Sequence, residues 1–342
     1  MPINRNILRR LPSAMLAVFL LATPIAARAD AQAEQLFGTA LVEACQLPRE
    51  EAYMDRSRTA QGNRVYQLML SGDLYAWDPA TDSYALYAHV PAEPRYNVEI
   101  PFEKQSASLQ REITETVSLL IPSDEGLYGF NYRSGRIGPI DQDGWHELDA
   151  RLDVSRLYQT KDNYPRNLRS AFVENGTLYA FHDISLNTDA APPATELLAF
   201  DLVSGKCAVT SLPDTAYFCR HTPGRLLCLQ LGDACALYLA VYDIASQTMT
   251  PLDIAVPLSI DKRAFSSSMR LRIETSGMAY DAERNIIYLP GPKMLWRSID
   301  GAPFEAIQIV DGWEEKIPVS NAWVLSSGVY FGELGWPYAV RP

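Results

Sequence analysis

Histidine is scarce in this chain: His89, His146, His182 and His221 are the only four in 342 residues. A His-rich metal centre would have to recruit nearly all of them, and three fall in or beside strands expected of different sheets. A phosphate-cradling glycine loop, a Gly-x-Ser-x-Gly elbow, a His-Glu-x-x-His and a Cys-x-x-Cys are all missing. The linear signatures of nucleotide, hydrolase and zinc chemistry are therefore absent, and no metal site or cofactor is expected. Basic charge is also short, with 30 Lys and Arg against 41 Asp and Glu and a net charge of −11. Such a surface repels nucleic acid and anionic lipid, so neither is expected as a partner.

Long apolar runs are missing except at the start. Arg5, Arg9 and Arg10 precede an apolar stretch from Leu11 to Ile25, and Ala27-Arg28-Ala29 leads to Asp30. That order is expected of an export signal over residues 1–29, cleaved before Asp30, and the stretch is too short and wrongly flanked for a membrane span. Cleavage would remove four arginines and no acid, leaving 26 basic and 41 acidic residues, about −15. The expectation is a periplasmic or secreted soluble protein with no membrane span after cleavage. No linker rich in Gly, Ser or Pro divides the rest of the chain, so one domain is expected.

What the chain does have is a repeated phrase, an apolar strand ending in an aromatic followed by a polar turn. It reads Leu74-Tyr75-Ala76-Trp77-Asp78, Leu127-Tyr128-Gly129-Phe130-Asn131, Leu178-Tyr179-Ala180-Phe181, Leu198-Ala199-Phe200-Asp201 and Leu239-Ala240-Val241-Tyr242-Asp243, with a looser copy at Met294-Leu295-Trp296. One small sheet cannot cover its own apolar faces, so repetition points to a radial or stacked all-β array. Strand groups bounded by Gly, Pro, Asn or Asp number six, and the last offers only three strands. A six-bladed β-propeller is the expectation, with seven or five blades as alternatives. Residues 30–63 are expected to supply the closing strand and 64–342 the propeller.

Three turns carry the pattern further: Asp201-Leu202-Val203-Ser204-Gly205-Lys206, Asp78-Pro79-Ala80-Thr81-Asp82 and Asp243-Ile244-Ala245-Ser246-Gln247. At these residues the chain resembles exported bacterial β-propeller repeat proteins, whose blades carry strand, Asp-x-x-[Ser/Thr]-Gly turn, strand. Leu295 to Phe304 is similar to a degenerate Asp-box of sialidase-type propellers, one residue short. In that family the box is a folding turn, and the resemblance implies the same here. A pattern shared by propellers of unrelated activity implies fold and not function.

Candidate chemistry is sparse. Asp141-Gln142-Asp143-Gly144 with Glu147 and Asp149 gathers carboxylates in one turn but lacks a third acid before the glycine, so a solvated turn is expected rather than a calcium loop. Of Cys45, Cys207, Cys219, Cys228 and Cys235, the pair Cys219 and Cys228 is equidistant from Pro223-Gly224. A two-residue hairpin there would set them directly opposite, which makes them the disulfide candidate. Buried free thiols are the competing reading, since facing strand pairs bridge with strain.

Propellers place ligands on connections at one mouth of the channel. Two long connections are locally basic: one carries Arg156, Lys161 and Arg166 with Tyr158 and Tyr164, the other Lys262, Arg263, Arg270 and Arg272. Arginine pairs with carboxylates and aromatics stack on sugars, so these are the candidate binding residues for a protein or carbohydrate ligand, an anionic one included. A non-catalytic binding or scaffolding propeller is the expected function. A carbohydrate-active propeller enzyme, glycosidase or lyase in type, is the alternative, its carboxylates facing the channel from separate blades.

Overall fold

A computed structural model describes residues 34–35, 55–81, 83–92, 94, 100, 102–154, 169–183, 194–232, 236–259, 278–291, 294–307, 322–331 and 338–340. Among these described residues, apart from one short α-helix and a 3-10 turn, the regular elements are strands. In chain order the strands are β1 (Glu34–Gln35), then β2 (Asp55–Gln61), β3 (Arg64–Met69), β4 (Asp73–Asp78) and β5 (Ser83–His89). Next come β6 (Leu119–Pro122), β7 (Leu127–Phe130), β8 (Ile137–Asp141) and β9 (Gly144–Trp145), followed by β10 (Arg169–Glu174), β11 (Thr177–Asp183), β12 (Ala194–Asp201) and β13 (Cys207–Pro213). Then follow β14 (Thr215–Thr222), β15 (Arg225–Leu231), β16 (Ala236–Asp243) and β17 (Thr248–Ser259). The last groups are β18 (Ala279–Asp281), β19 (Ile286–Gly291), β20 (Met294–Ile299) and β21 (Glu305–Ile307), with β22 (Ala322–Leu325), β23 (Gly328–Phe331) and β24 (Tyr338–Val340) at the end.

Five antiparallel sheets are each made of four consecutive strands: β2–β5, β6–β9, β10–β13, β14–β17 and β18–β21. A further sheet is composite, in the order β1, β24, β23, β22, where Glu34 faces Ala339 and Gln35 faces Tyr338. The first strand of each sheet packs on the first strand of the next, from β2 through β6, β10, β14 and β18 to β22, and β22 packs back on β2. The chain is an all-β β-propeller.

The expectation of six blades, the last closed by a strand from residues 30–63, is corrected in its blade count by this topology. Five blades are complete in consecutive strands; the composite sheet is built differently, its fourth strand only two residues long and drawn from far upstream. The first blade also takes its inner strand from Asp55–Gln61, upstream of residue 64. That stretch, Asp55-Arg56-Ser57-Arg58-Thr59-Ala60-Gln61, is too polar to announce itself as a strand, because its neighbours in the ring supply the apolar contacts.

Burial explains the repeated phrase. Second strands are buried on both faces, as in β3 and β15, where five successive residues are buried, Gln67 and Gln230 among them, because each sheet is covered by a neighbour on either side. Outer strands β5 and β13 are mostly exposed and carry polar residues. The core is thus a series of clusters between blades. Leu68, Leu74, Val117 and Leu127 fill the space between the first two blades, and Phe172, Phe181, Leu197, Phe218 and Leu226 that between the third and fourth. The seam with the composite sheet is aromatic: Trp77 and Tyr330 meet edge to face at 5.1 Å, and Arg58 lies over Trp323 at 5.7 Å.

The disulfide candidate is also corrected. Bulges in β14 shift its register, so Phe218 faces Cys228 and Cys219 faces Leu227. Neighbouring residues of a strand point to opposite faces. Cys219 accordingly joins the cluster shared with the fifth blade, Cys228 the cluster shared with the third, and both are free thiols. Cys45 and Cys235 lie outside the described residues.

Candidate functional site

Antiparallel order gives the ring two unlike mouths. First-to-second and third-to-fourth strand turns open at one mouth, and among the described blades they are two to five residues long. Second-to-third turns and blade-to-blade connections open at the other. The strand ends that bracket the longer intervals, 90–118, 146–168, 184–193, 260–278 and 308–321, open there.

The short-turn mouth is locked across every junction. Gln61 Oε1 accepts from Ser123 N at 3.0 Å, and Ser123 bridges Val173. Arg220 donates to both Asp124 carboxylate oxygens at 2.6 and 2.9 Å, while Glu174 Oε1 accepts from Gly224 N at 2.7 Å. His221 stacks on Tyr280 with ring centroids 4.1 Å apart. Arg284 donates to the Ser326 carbonyl, and Ser326 N donates to Asn63 Oδ1 at 3.2 Å. Third-strand aspartates cap their own turns: Asp78 accepts from Ala80 N, Asp201 from Val203 N and Ser204 N, and Asp243 from Ser246 N. Asp141 does the same with Asp143 N, and it also takes His146 Nε2 at 2.8 Å, so its carboxylate is used as a turn cap. Hydrogen bonds to the charged form, from the Ser204 and Ser246 backbone first and their hydroxyls second, hold Asp201 and Asp243 below the usual carboxylate range. In the Asp-box stretch, Asp300 at φ 50° and Gly301 at φ 74° make the turn, Ser298 donates to the Ala302 carbonyl, and Asp300 accepts from Asn285 Nδ2. Its role is structural.

The long-connection mouth is built differently. Inner strands β2, β10 and β14 are each bulged at their first residues, between Asp55 and Ser57, Arg169 and Phe172, and Thr215 and Tyr217. Bulges gather where a strand must re-aim side chains. Ser170, in the β10 bulge, has φ 50°, a left-handed conformation unusual for serine, and its buried hydroxyl has no hydrogen-bond partner among the described residues. Span 90–118 carries α1 (Ala107–Thr114), capped by the Ser106 hydroxyl and anchored by buried Ile113. Fully buried Asn131 ties the helix end to the second blade: Nδ2 donates to the Ile113 and Thr116 carbonyls at 2.8 and 2.7 Å, and Oδ1 accepts from Arg133 N and Ser134 N. Sequence reasoning passed over Asn131 because it ends a copy of the repeated phrase where other copies carry a turn-capping Asp.

Gly72 shows how tightly this end is packed. It sits at φ +91°, and a Cβ there would come within 2.4 Å of the Val90 carbonyl oxygen. His89 packs beside it, its Nδ1 3.0 Å from Asp73 Oδ1, and Asp73 Oδ2 accepts from the Ser71 hydroxyl.

The nine candidate binding residues, Arg156, Tyr158, Lys161, Tyr164, Arg166, Lys262, Arg263, Arg270 and Arg272, lie outside the described residues. The strand ends that bracket their two connections are described, and both pairs open at the long-connection mouth. Among the described residues no group of three or more His, Cys, Asp and Glu is placed to hold a metal, and no helix is long and apolar enough to cross a membrane.

No family model and no curated protein matches the chain. Solved structures resemble it at low identity. A gluconolactonase from Xanthomonas campestris is 10% identical, with 85% of this chain and 88% of that one covered and a TM-score of 0.47. The Pan2 WD40 domain of Neurospora crassa is 9% identical, covering 92% and 97%, also at 0.47. BamB from Moraxella catarrhalis is 9% identical, covering 84% and 81%, at 0.38. Likeness at this level carries no activity, substrate or partner to this chain.

Proposed function

We propose that this protein is an exported, non-catalytic binding or scaffolding propeller that presents its long-connection mouth to a protein or carbohydrate ligand. One observation carries the reading: short turns and a belt of inter-blade bonds fix one mouth, while the long spans are bracketed by strand ends at the other, where β2, β10 and β14 are each bulged at their first residues. A rigid scaffold with variable connections at one end is the usual arrangement of a binding surface. In this reading β1 is the strand that closes the composite sheet. Export rests on the charge and apolar order of residues 1–29, and it places the protein in the periplasm or outside the cell.

Within that mouth the basic connections are the proposed ligand contacts, suited to carboxylates through Arg and to sugar faces through Tyr158 and Tyr164. The test is binding of wild type and an Arg166→Ala, Arg270→Ala double variant to polygalacturonate, to neutral dextran and to extracted envelope proteins. Binding of polygalacturonate or of an envelope protein that falls at least about tenfold in the variant supports the assignment, one tenfold step being about 1.4 kcal/mol. Equal binding by both removes the basic connections from it.

A further inference from the structure

His221 sits where two blades meet, and its surroundings are built for a neutral ring. The imidazole lies flat on Tyr280 of the fifth blade, 4.1 Å between centroids and 17° between planes. It is half-buried, and among the described residues its one polar contact is the Thr222 hydroxyl, 3.4 Å from Nδ1. A charge on this ring would find no carboxylate among them. On its own strand, Arg220 is turned to the opposite face and spent on Asp124 and Glu174. On β15, Arg225 presents a second cation, paired with Asp243. On β18, the Asp281 carboxylate is taken by the Arg284 guanidinium and by the backbone N–H groups of Glu283 and Arg284, and Tyr280 directs its hydroxyl to Asn285.

We propose that the junction between the fourth and fifth blades is a pH-responsive joint, in which charging of the His221 imidazole loosens its packing on Tyr280. Burial first, and the Arg225 cation second, push the His221 pKa below the ordinary histidine value, in line with that geometry. The neutral ring is therefore favoured in the folded state. Full packing holds above the unfolded histidine value of about 6.5, and stability is lost as pH falls through the lower folded value. The same strand carries Arg220, which binds the second and third blades, so a change here bears on a hairpin that contacts three other blades.

Hydrogen exchange on the purified protein, corrected for intrinsic rates, tests the joint at about pH 7.5 and about pH 5. Peptides spanning residues 217–231 and 278–289 are expected to lose protection severalfold at the lower pH, relative to peptides from the first two blades. His221→Phe keeps the stack and cannot charge, so its protection is expected to hold. Arg225→Gln, which removes the neighbouring cation, is expected to reduce the wild-type response. An equal loss in His221→Phe, or no selective loss in wild type, would overturn the proposal.

Discussion

Arg220 and Glu174 form an ion pair across 46 residues, with Nη2 2.7 Å and Nε 2.9 Å from Oε2. Glu174 is 5% exposed, and its other oxygen accepts from Gly224 N. A buried carboxylate in this position is stable only with its cation. Arg220→Ala would strand that charge and also release Asp124 of the second blade. Arg220 is itself 32% exposed, so the expected cost is about 1 to 3 kcal/mol, that of leaving a buried acceptor without its partner rather than of breaking a fully buried pair. Glu174→Gln on the Arg220→Ala background should recover part of it, because the charge goes while the acceptor for Gly224 stays. Urea unfolding of the single and double variants measures this, and an Arg220→Ala variant as stable as wild type would refute it.

The seam between the first blade and the composite sheet rests on aromatic packing more than on β1. Trp77 and Tyr330 are 1% and 2% exposed and in edge-to-face contact, whereas β1 contributes two paired residues. Tyr330→Ala is expected to cost about 3 to 5 kcal/mol, as large buried aromatics do when truncated. Deleting residues through Gln35 should cost less than that substitution. Thermal melts of both variants decide the order, and a deletion more damaging than Tyr330→Ala would assign the closure to β1.

The repeated phrase made the ring legible because it marks the two middle strands of a blade, the ones covered on both faces. Leu127–Phe130 and Leu178–Tyr179-Ala180-Phe181 fall in second strands, while Leu74 to Asp78, Leu198 to Asp201 and Leu239 to Asp243 fall in third strands. The inner strand Asp55–Gln61 escaped notice because Ser57 and Thr59 are buried by hydrogen bonding and ring packing, as when Ser57 Oγ accepts from Leu120 N. The register of Cys219 was hidden for a different reason. A bulge is set by backbone conformation around Arg220 and Thr222, and residue counts from the Pro223-Gly224 turn do not reveal it. The site was legible only as a class of connection. Interaction between residues as distant as Asp124 and Arg220 leaves no linear motif.

Turn-capping aspartates give the ring an acid limit. Asp201 accepts from Ser204 N at 2.6 Å and Val203 N at 3.0 Å, and these bonds favour the carboxylate. Its folded pKa is lowered, so its contribution is present above the unfolded carboxylate value of about 4 and is lost as pH falls through the folded value. Asp243 follows the same sign through Ser246. Asp201→Asn, Asp243→Asn should flatten the fall of melting temperature with pH in the region below about 4. Parallel curves for variant and wild type would show that these caps do not set the limit.

Thiol chemistry separates the cysteines by position in the fold. Burial pushes the Cys228 thiol up to about 12, and burial together with the nearby Cys228 pushes Cys219 up as well. The thiolate is the reactive species, so both should be inert in the folded protein at neutral pH. Cys207, on the exposed outer strand β13, should react first. Site-resolved mass spectrometry after brief alkylation is expected to find Cys207 modified and Cys219 and Cys228 untouched, then all three modified after unfolding in urea without reductant. The last step discriminates: a Cys219–Cys228 disulfide would still protect both residues in urea, whereas thiols on opposite faces of one sheet become reactive as soon as the blades separate.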